Sequence, residues 1–169
     1  MKKVLLLMLA VLMISSAAMA EHIGLFSDAE GTNCTLAPAF PANVYVVESS
    51  LGGTTGSRFK VTPGAGNSIF AFNTSYVPIG NIANDLSLAY GQCLSGQVVL
   101  GTILMGLTPG SGSLEVVAAD AFPTIIYTDC LFGEYPATGG KAYVGVAGNC
   151  NFPIATQPST WGQVKSLYR

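Results

Sequence analysis

Catalysis and metal binding rely on a few residue types, among them histidine and cysteine. It contains one histidine, His22, and four cysteines. A nucleophilic triad needs a histidine that the fold holds beside a serine or cysteine. His22 lies close to the predicted start of the mature chain, where the backbone is usually loose. We therefore predict that His22 is a surface residue and that the chain has no catalytic residue of this kind.

The cysteines, Cys34, Cys93, Cys130 and Cys150, suit disulfides better than a metal site. None of them is spaced as the Cys-x-x-Cys hook that zinc sites use. An even number of cysteines in an oxidising compartment indicates two disulfides, and four cysteines allow three pairings. We favour Cys130 with Cys150, because the strand and glycine-rich turn between them can fold back. That choice leaves Cys34 with Cys93.

Carboxylates are the remaining reactive groups, and a pair of them can support glycoside hydrolysis without histidine. The chain has nine acidic residues: Glu21, Asp28, Glu30, Glu48, Asp85, Glu115, Asp120, Asp129 and Glu134. Nothing in their spacing brings two together, so we predict solvated charges that keep a sparsely charged protein soluble. A two-carboxylate hydrolase stays as an alternative.

One acidic stretch carries part of a calcium-loop pattern. Asp28, Glu30 and Asn33 offer alternating oxygen ligands around a glycine, but the third acidic ligand and the closing bidentate glutamate are missing. We favour an ordinary turn stabilised by Asp and Asn side chains. The sequence thus predicts no cofactor and no metal.

The N-terminus has the three parts of a secretory signal peptide. Lys2 and Lys3 precede an apolar run of about ten residues, and Ala18-Met19-Ala20 gives the small-x-small cleavage pattern. The apolar run is too short for a bilayer core, which needs about 20 residues. We predict cleavage after Ala20, no membrane span in the mature chain, and a secreted, periplasmic or outer-surface location.

Charge excludes a further class of function. Of seven basic residues, Lys2 and Lys3 lie in the signal peptide, which leaves five against nine acidic ones. The five are scattered along the mature chain and form no basic stripe, so a nucleic-acid partner is not expected.

The mature chain alternates short runs of β-branched and aromatic residues with clusters of Gly, Pro, Asn and Ser, which is typical of strands joined by turns. We predict an all-β protein: one antiparallel β-sandwich, jelly-roll or immunoglobulin-like, of about eight or nine strands. A turn is predicted at 52–56. The predicted core includes Val44, Val46, Leu88, Val99, Ile103, Val116, Ile126 and Val144.

The C-terminus departs from this pattern. The sandwich domain is predicted to cover 21–150, and Pro153 and Pro158 indicate an extended linker over 151–159. A short helical tail is predicted over 160–169, with Thr160 as its N-cap. Its apolar residues fall on one face: Trp161, Val164, Leu167 and Tyr168. Two turns of helix are unstable alone in water, so this tail either packs on its own domain or docks elsewhere.

Several stretches resemble known proteins. LSLAYGQC (86–93) and TWGQVKSLYR (160–169) are similar to small secreted proteins of environmental Gram-negative bacteria. The stretch from Gln97 to Ala118 is similar to the paired late strands of cohesin-like β-sandwich domains. The first resemblance implies secretion, and the second implies a jelly-roll-like sandwich with a binding role.

We predict from these observations that the chain is not an enzyme. Converging reactive groups are missing, which favours a secreted or cell-surface binding or adhesion module. Its partner would be a protein or glycan of the cell surface, with Tyr45, Tyr76, Tyr90 and Trp161 as candidates for stacking on sugars. A structural envelope or assembly protein is a second alternative.

Overall fold

The structure, a computed structural model, describes residues 21–110, 112–148 and 150. Within these residues the chain forms ten strands: β1 (His22–Phe26), β2 (Thr35–Leu36), β3 (Ala42–Thr62), β4 (Ser68–Asn73), β5 (Val77–Asn81), β6 (Asp85–Gly106), β7 (Ser113–Val117), β8 (Ile125–Asp129), β9 (Glu134–Gly139) and β10 (Lys141–Val144). The predicted signal peptide, linker and helical tail, including Trp161, Val164, Leu167 and Tyr168, lie outside the described residues.

Two long strands organise the fold. β3 and β6 pair antiparallel along most of their length, from Ala42 opposite Met105 to Phe59 opposite Leu86. The first half of β3 also pairs with β1, and its second half with β8. The far side of β6 pairs with β4 near its end and with β5 near its start.

The second layer is smaller. β7 pairs with the last residues of β3 and with β10, and β10 pairs in parallel with β2. All other strand pairs are antiparallel except β1 with β9, which is parallel. The predicted all-β sandwich is therefore confirmed. Across the described residues, no helix is both long and apolar enough to cross a bilayer.

The glycine-rich stretch at 52–56 is not the predicted turn. It lies inside β3, where the pairing with β6 shifts register between Ser50 and Thr54 and again between Thr54 and Gly56. Such β-bulges bend a strand without ending it. Gly53 has a φ of 88°, a backbone conformation that glycine adopts without steric cost. β3 continues in the larger sheet beyond these bulges and joins the second layer only at Lys60, where it begins to pair with β7.

The core is made of inward-facing aliphatic side chains, and six of the eight predicted core residues are buried. Val99 and Ile126 are the exceptions. Val99 is 37% exposed, because a register shift opposite Val46 and Val47 reverses the alternation along β6. Ile126 lies opposite Arg58 on the outer face of the sheet.

All four cysteines are in disulfides, but the favoured pairing is wrong. The bonds join Cys34 to Cys150 and Cys93 to Cys130. Cys34 directly precedes β2, which lies beside β10, so the chain after β10 returns to it. Cys93 and Cys130 flank β3 on opposite sides near Thr54, where β3 meets both β6 and β8.

Candidate functional site

The outer face of the larger sheet carries an open groove of about 570 Å³. Phe59, Leu86 and Leu88 point into the core, so their neighbours along the strands point outward. The groove is lined by Thr55, Gly56, Ser57, Arg58, Ser87, Leu88, Ala89, Gly91, Gln92, Phe122, Ile126, Thr128, Phe132 and Glu134. Strands β3, β6 and β8 form its floor.

Small residues make the groove. Gly56 lies opposite Ala89 on β6, and Arg58 lies opposite Ser87. A Cβ on Gly56 would lie 2.6 Å from the carbonyl oxygen of Leu88, so no larger residue fits there without moving the backbone. β5 continues the same face with Val77 and Ile79, which are 63% and 65% exposed.

Arg58 is the fixed cation of the groove floor. Its Nε donates to Ser87 Oγ at 2.6 Å and lies 3.4 Å from Asp85 Oδ1. Its guanidinium stands 4.4 Å from the centre of the Phe122 ring, a cation–π contact. Three partners therefore fix one side chain that is about a third exposed.

One end of the groove is formed by the turn between β8 and β9, residues 129–133, which we call the tip. Asp129 Oδ1 accepts hydrogen bonds from the backbone N–H groups of Leu131 (2.8 Å) and Gly133 (2.7 Å). The disulfide from Cys130 to Cys93 ties the tip to β6. Leu131 and Phe132 are 87% and 79% exposed. The tip thus holds two large apolar side chains out into solvent.

Phe132 has an unfavourable backbone. Its φ is 65°, and no other non-glycine residue in the described ranges has a positive φ. The left-handed region costs an L-residue roughly 1–2 kcal/mol, and glycine or asparagine would avoid most of it. Strain of this kind tends to occur at functional sites. A strained, exposed aromatic residue at the mouth of a groove makes this end a candidate contact surface.

A buried polar cluster lies beneath the groove. The Tyr90 hydroxyl donates to Glu48 Oε2 at 2.5 Å and lies 2.6 Å from Ser57 Oγ. Because the single Tyr90 proton is used on Glu48, Ser57 is the donor of the second bond. Glu48 is fully buried and Glu21 is 1% exposed. These two carboxyls contradict the prediction of solvated charges.

Burial controls the protonation of this cluster. It raises the pKa of Glu48 to about 7, with an opposing hydrogen bond from Tyr90 and a reinforcing charge on Glu21. Burial also raises the pKa of Glu21, which a hydrogen bond from Ser50 partly offsets. The pKa of Tyr90 is raised well above its usual value by burial and by Glu48. Neither carboxyl lines the groove.

His22 is not the predicted surface residue. It belongs to β1, is 4% exposed, and its Nδ1 lies 2.9 Å from Thr138 Oγ1. The backbone next to it is also fixed, since the Thr138 N–H donates to the carbonyl of Glu21 at 2.9 Å. β1 holds these residues because it pairs with both β3 and β9. Burial lowers the pKa of His22 to about 4.

The other predicted site residues are dispersed. Asp28 accepts hydrogen bonds from the backbone N–H groups of Thr32 and Asn33, both at 2.8 Å, as in an Asp-stabilised turn. Tyr90 is buried and Tyr76 packs on it at 4.8 Å between ring centres. Tyr45 is half-buried on β3. These tyrosines therefore form no flat platform for a sugar.

The sequence interpretation missed Arg58 and Phe132. A signal for the tip was present, because Asp129 followed by glycine four residues later is typical of a turn closed by its Asp side chain. The positive φ of Phe132 has no counterpart in the sequence. That Arg58 and Phe132 line the same groove is known only once the strands are paired.

Comparisons with known proteins bear on the fold. No protein-family model and no curated protein matches the sequence. The structure is similar to a non-cellulosomal cohesin from Archaeoglobus fulgidus (TM-score 0.54, 11% identity, 75% of this chain and 92% of that one). It is also similar to the cohesin module of a Clostridium perfringens family 33 glycoside hydrolase (TM-score 0.53, 6% identity, 75% of this chain and 98% of that one). A third similar structure is a chain of a CaDoc0917–CaCohA2 complex (TM-score 0.50, 12% identity, 74% of this chain and 99% of that one). The chain therefore has a cohesin-like fold, as its sequence between Gln97 and Ala118 predicts.

Proposed function

We propose that this chain is a secreted or cell-surface, non-catalytic module that binds a protein partner through the groove and the tip. The observation that carries the proposal is Phe132, which is 79% exposed and has a φ of 65°. Exposed aromatic residues beside a cavity are typical binding hot spots. A glycine would satisfy the turn with less strain, so stability does not account for phenylalanine at this position.

The groove supports a protein partner over a glycan. Its lining is apolar at Ile126, the neighbouring strand β5 adds exposed Val77 and Ile79 to the same face, and one anchored cation, Arg58, lies on its floor. The tyrosines predicted to bind sugars offer no stacked exposed rings. One of the similar structures is itself a complex of two proteins. The two-carboxylate alternative has less support, because Glu21 and Glu48 are closed off in the core.

Secretion is part of the proposal. The N-terminal pattern of a signal peptide and two disulfides in a small domain both support an oxidising compartment. The same proposal places the protein beyond the inner membrane, in the periplasm, in the medium or on the outer surface. Cell fractionation distinguishes these locations.

We expect Phe132→Ala to weaken partner binding at least tenfold, as truncation of a hot-spot aromatic does. The mature protein, immobilised, is offered the cell-surface fraction of the producing bacterium, and the captured protein is identified and its affinity measured. Phe132→Gly should lose binding equally while its melting temperature stays the same or rises, because the strained φ is relieved.

Phe40→Ala is the matched control. Phe40 is 80% exposed and packs on Phe70 away from the groove, so its removal should leave binding intact. Equal binding by Phe132→Ala and the unchanged protein would contradict the proposal. Capture of a glycan in place of a protein would favour the glycan partner that the sequence analysis also allows.

A further inference from the structure

The groove requires an occupant with an apolar face. Ile126 and Phe132 line one side. Beyond the other side, Val77 and Ile79, more than 60% exposed, lie opposite the lining residues Ala89 and Ser87 and extend the same face. The side chains between them are small or absent at Gly56, Ala89 and Gly91, so the floor admits a bulky side chain from a partner.

This chain carries a segment with the complementary character. For residues 160–169 the sequence predicts a two-turn helix that would carry Trp161, Val164, Leu167 and Tyr168 on one face. So short a helix is stable only when its apolar face is packed against a surface. A bulky aromatic at the start of that face matches a groove floored by glycine and alanine.

Charge favours the same pairing. All nine acidic residues lie in the predicted sandwich domain, 21–150, whose basic residues are Arg58, Lys60 and Lys141, so its formal side-chain charge is −6. The segment 160–169 has no acidic residue and carries Lys165 and Arg169. Glu134 lines the groove and Asp129 anchors the tip beside it, so the basic flank of the segment would meet carboxylates.

The reach of the linker favours a second copy over the same one. The described chain ends at Cys150, which is bonded to Cys34 beside β2 and β10, in the layer opposite the groove. Nine linker residues span at most about 30 Å. A domain of this size is about 36 Å across, and the route to the outer face of the other layer passes around its rim. The groove of a neighbouring molecule imposes no such detour.

We propose that residues 160–169 of one copy dock in the groove of a second copy, so that the protein self-associates head to tail. The inference rests on the proposed function, because it names the partner of the same groove. Such an interface is heterologous, since the groove and the tail are different surfaces. It closes into a dimer or ring where the geometry lets the last tail reach the first groove, and it builds open chains where it does not.

Two variants of the mature chain test this inference. Trp161→Ala with Leu167→Ala removes the anchors of the tail, and Phe132→Ala damages the groove. Sedimentation of the unchanged protein should shift from a monomer to dimers or larger species as its concentration rises, and each variant alone should remain a monomer. An equimolar mixture of the two should form a 1:1 heterodimer and nothing larger, because one intact groove meets one intact tail. Ser166→Ala, on the polar face of the tail, should associate like the unchanged protein.

Trp161 is the only tryptophan in the chain, so its fluorescence reports on the tail. We expect its emission to move to shorter wavelength as the concentration rises, and to stay at the position of exposed tryptophan in Phe132→Ala. A blue-shifted emission at every dilution, with a monomer throughout, would mean that the tail docks on its own domain and would overturn the inference. A mixture of the two variants that fails to associate would overturn it as well.

Failure of this inference is distinguishable from failure of the proposed function. If the chain stays monomeric but Phe132→Ala still loses the captured surface protein, the self-docking is wrong and the binding role stands. If Phe132→Ala changes neither association nor capture, both are wrong.

Discussion

Removal of the Cys34–Cys150 disulfide is expected to lower the free energy of unfolding by about 5 kcal/mol. The bond closes a sequence separation of 116 residues, and the entropy that a cross-link removes from the unfolded chain grows with the length of the closed loop. Cys34 is fully buried, so alanine at both positions avoids leaving an unpaired hydroxyl in the core. Urea denaturation of Cys34→Ala with Cys150→Ala measures the loss.

The second disulfide provides the comparison. Cys93–Cys130 closes 37 residues, for which the same relation gives about 4 kcal/mol. Its removal should therefore be the milder change for stability and the more severe one for binding, because it frees the tip that carries Phe132. A loss below about 1 kcal/mol for the Cys34–Cys150 pair would contradict the prediction and indicate that the unfolded state is already compact.

The class of fold follows from the sequence because strand and turn signals are local. β-branched and aromatic runs separated by Gly, Pro and Asn clusters predict a sandwich whichever strands pair. The glycine-rich stretch at 52–56 shows the limit of local signals. A turn and a bulge within a long strand use the same residues, and only pairing with β6 and β8 decides between them.

Disulfide pairing failed for a related reason. The favoured pair, Cys130 with Cys150, rests on the strand and glycine-rich turn between them, which can fold back. The real pairs are set by which strands become neighbours: β2 with β10, and β6 and β8 on either side of β3. Those neighbours are separated by long stretches of sequence, so spacing alone carries no information about them.

The buried carboxyl was within reach of sequence reasoning. In the stretch from Asn43 to Ser49, Val44 and Val46 were predicted to face the core, and strict alternation places Glu48 on that same face. The general expectation that carboxylates are solvated outweighed this local pattern. Glu48 is fully buried, so the alternation was the better guide. The burial of His22, in contrast, depends on its pairing with Thr138 of β9, which follows it by 116 residues.

Glu48 and His22 are expected to oppose each other in the pH dependence of stability. The folded pKa of Glu48, about 7, lies above its unfolded value of 4.5. The folded state therefore binds more protons between these values, and stability falls as pH rises through that window. The folded pKa of His22, about 4, lies below its unfolded value of 6.5. The unfolded state then binds more protons, and stability rises with pH between about 4 and 6.5.

Each effect amounts to about 3 kcal/mol over its window, from 1.36 kcal/mol per pKa unit. The two effects should largely cancel between about pH 4.5 and 6.5, and Glu21, whose pKa burial also raises, adds a further fall in stability as pH rises. Glu48→Gln keeps a hydrogen-bonding oxygen for Tyr90 and removes only the falling contribution. Its free energy of unfolding should therefore rise by up to about 3 kcal/mol from pH 4 to 6.5.

The complementary variant should show the opposite slope. His22→Asn keeps a polar nitrogen near Thr138 Oγ1 and removes the rising contribution, so its stability should fall by a similar amount between about pH 4.5 and 7. The double variant should lose both of these slopes and keep only the fall with rising pH that Glu21 contributes, because burial also raises the pKa of that carboxyl. Urea denaturation of the four proteins across this pH range measures all of the slopes. Parallel stability profiles for the two single variants would contradict this prediction. They would mean that burial does not shift the pKa values of Glu48 and His22 in opposite directions.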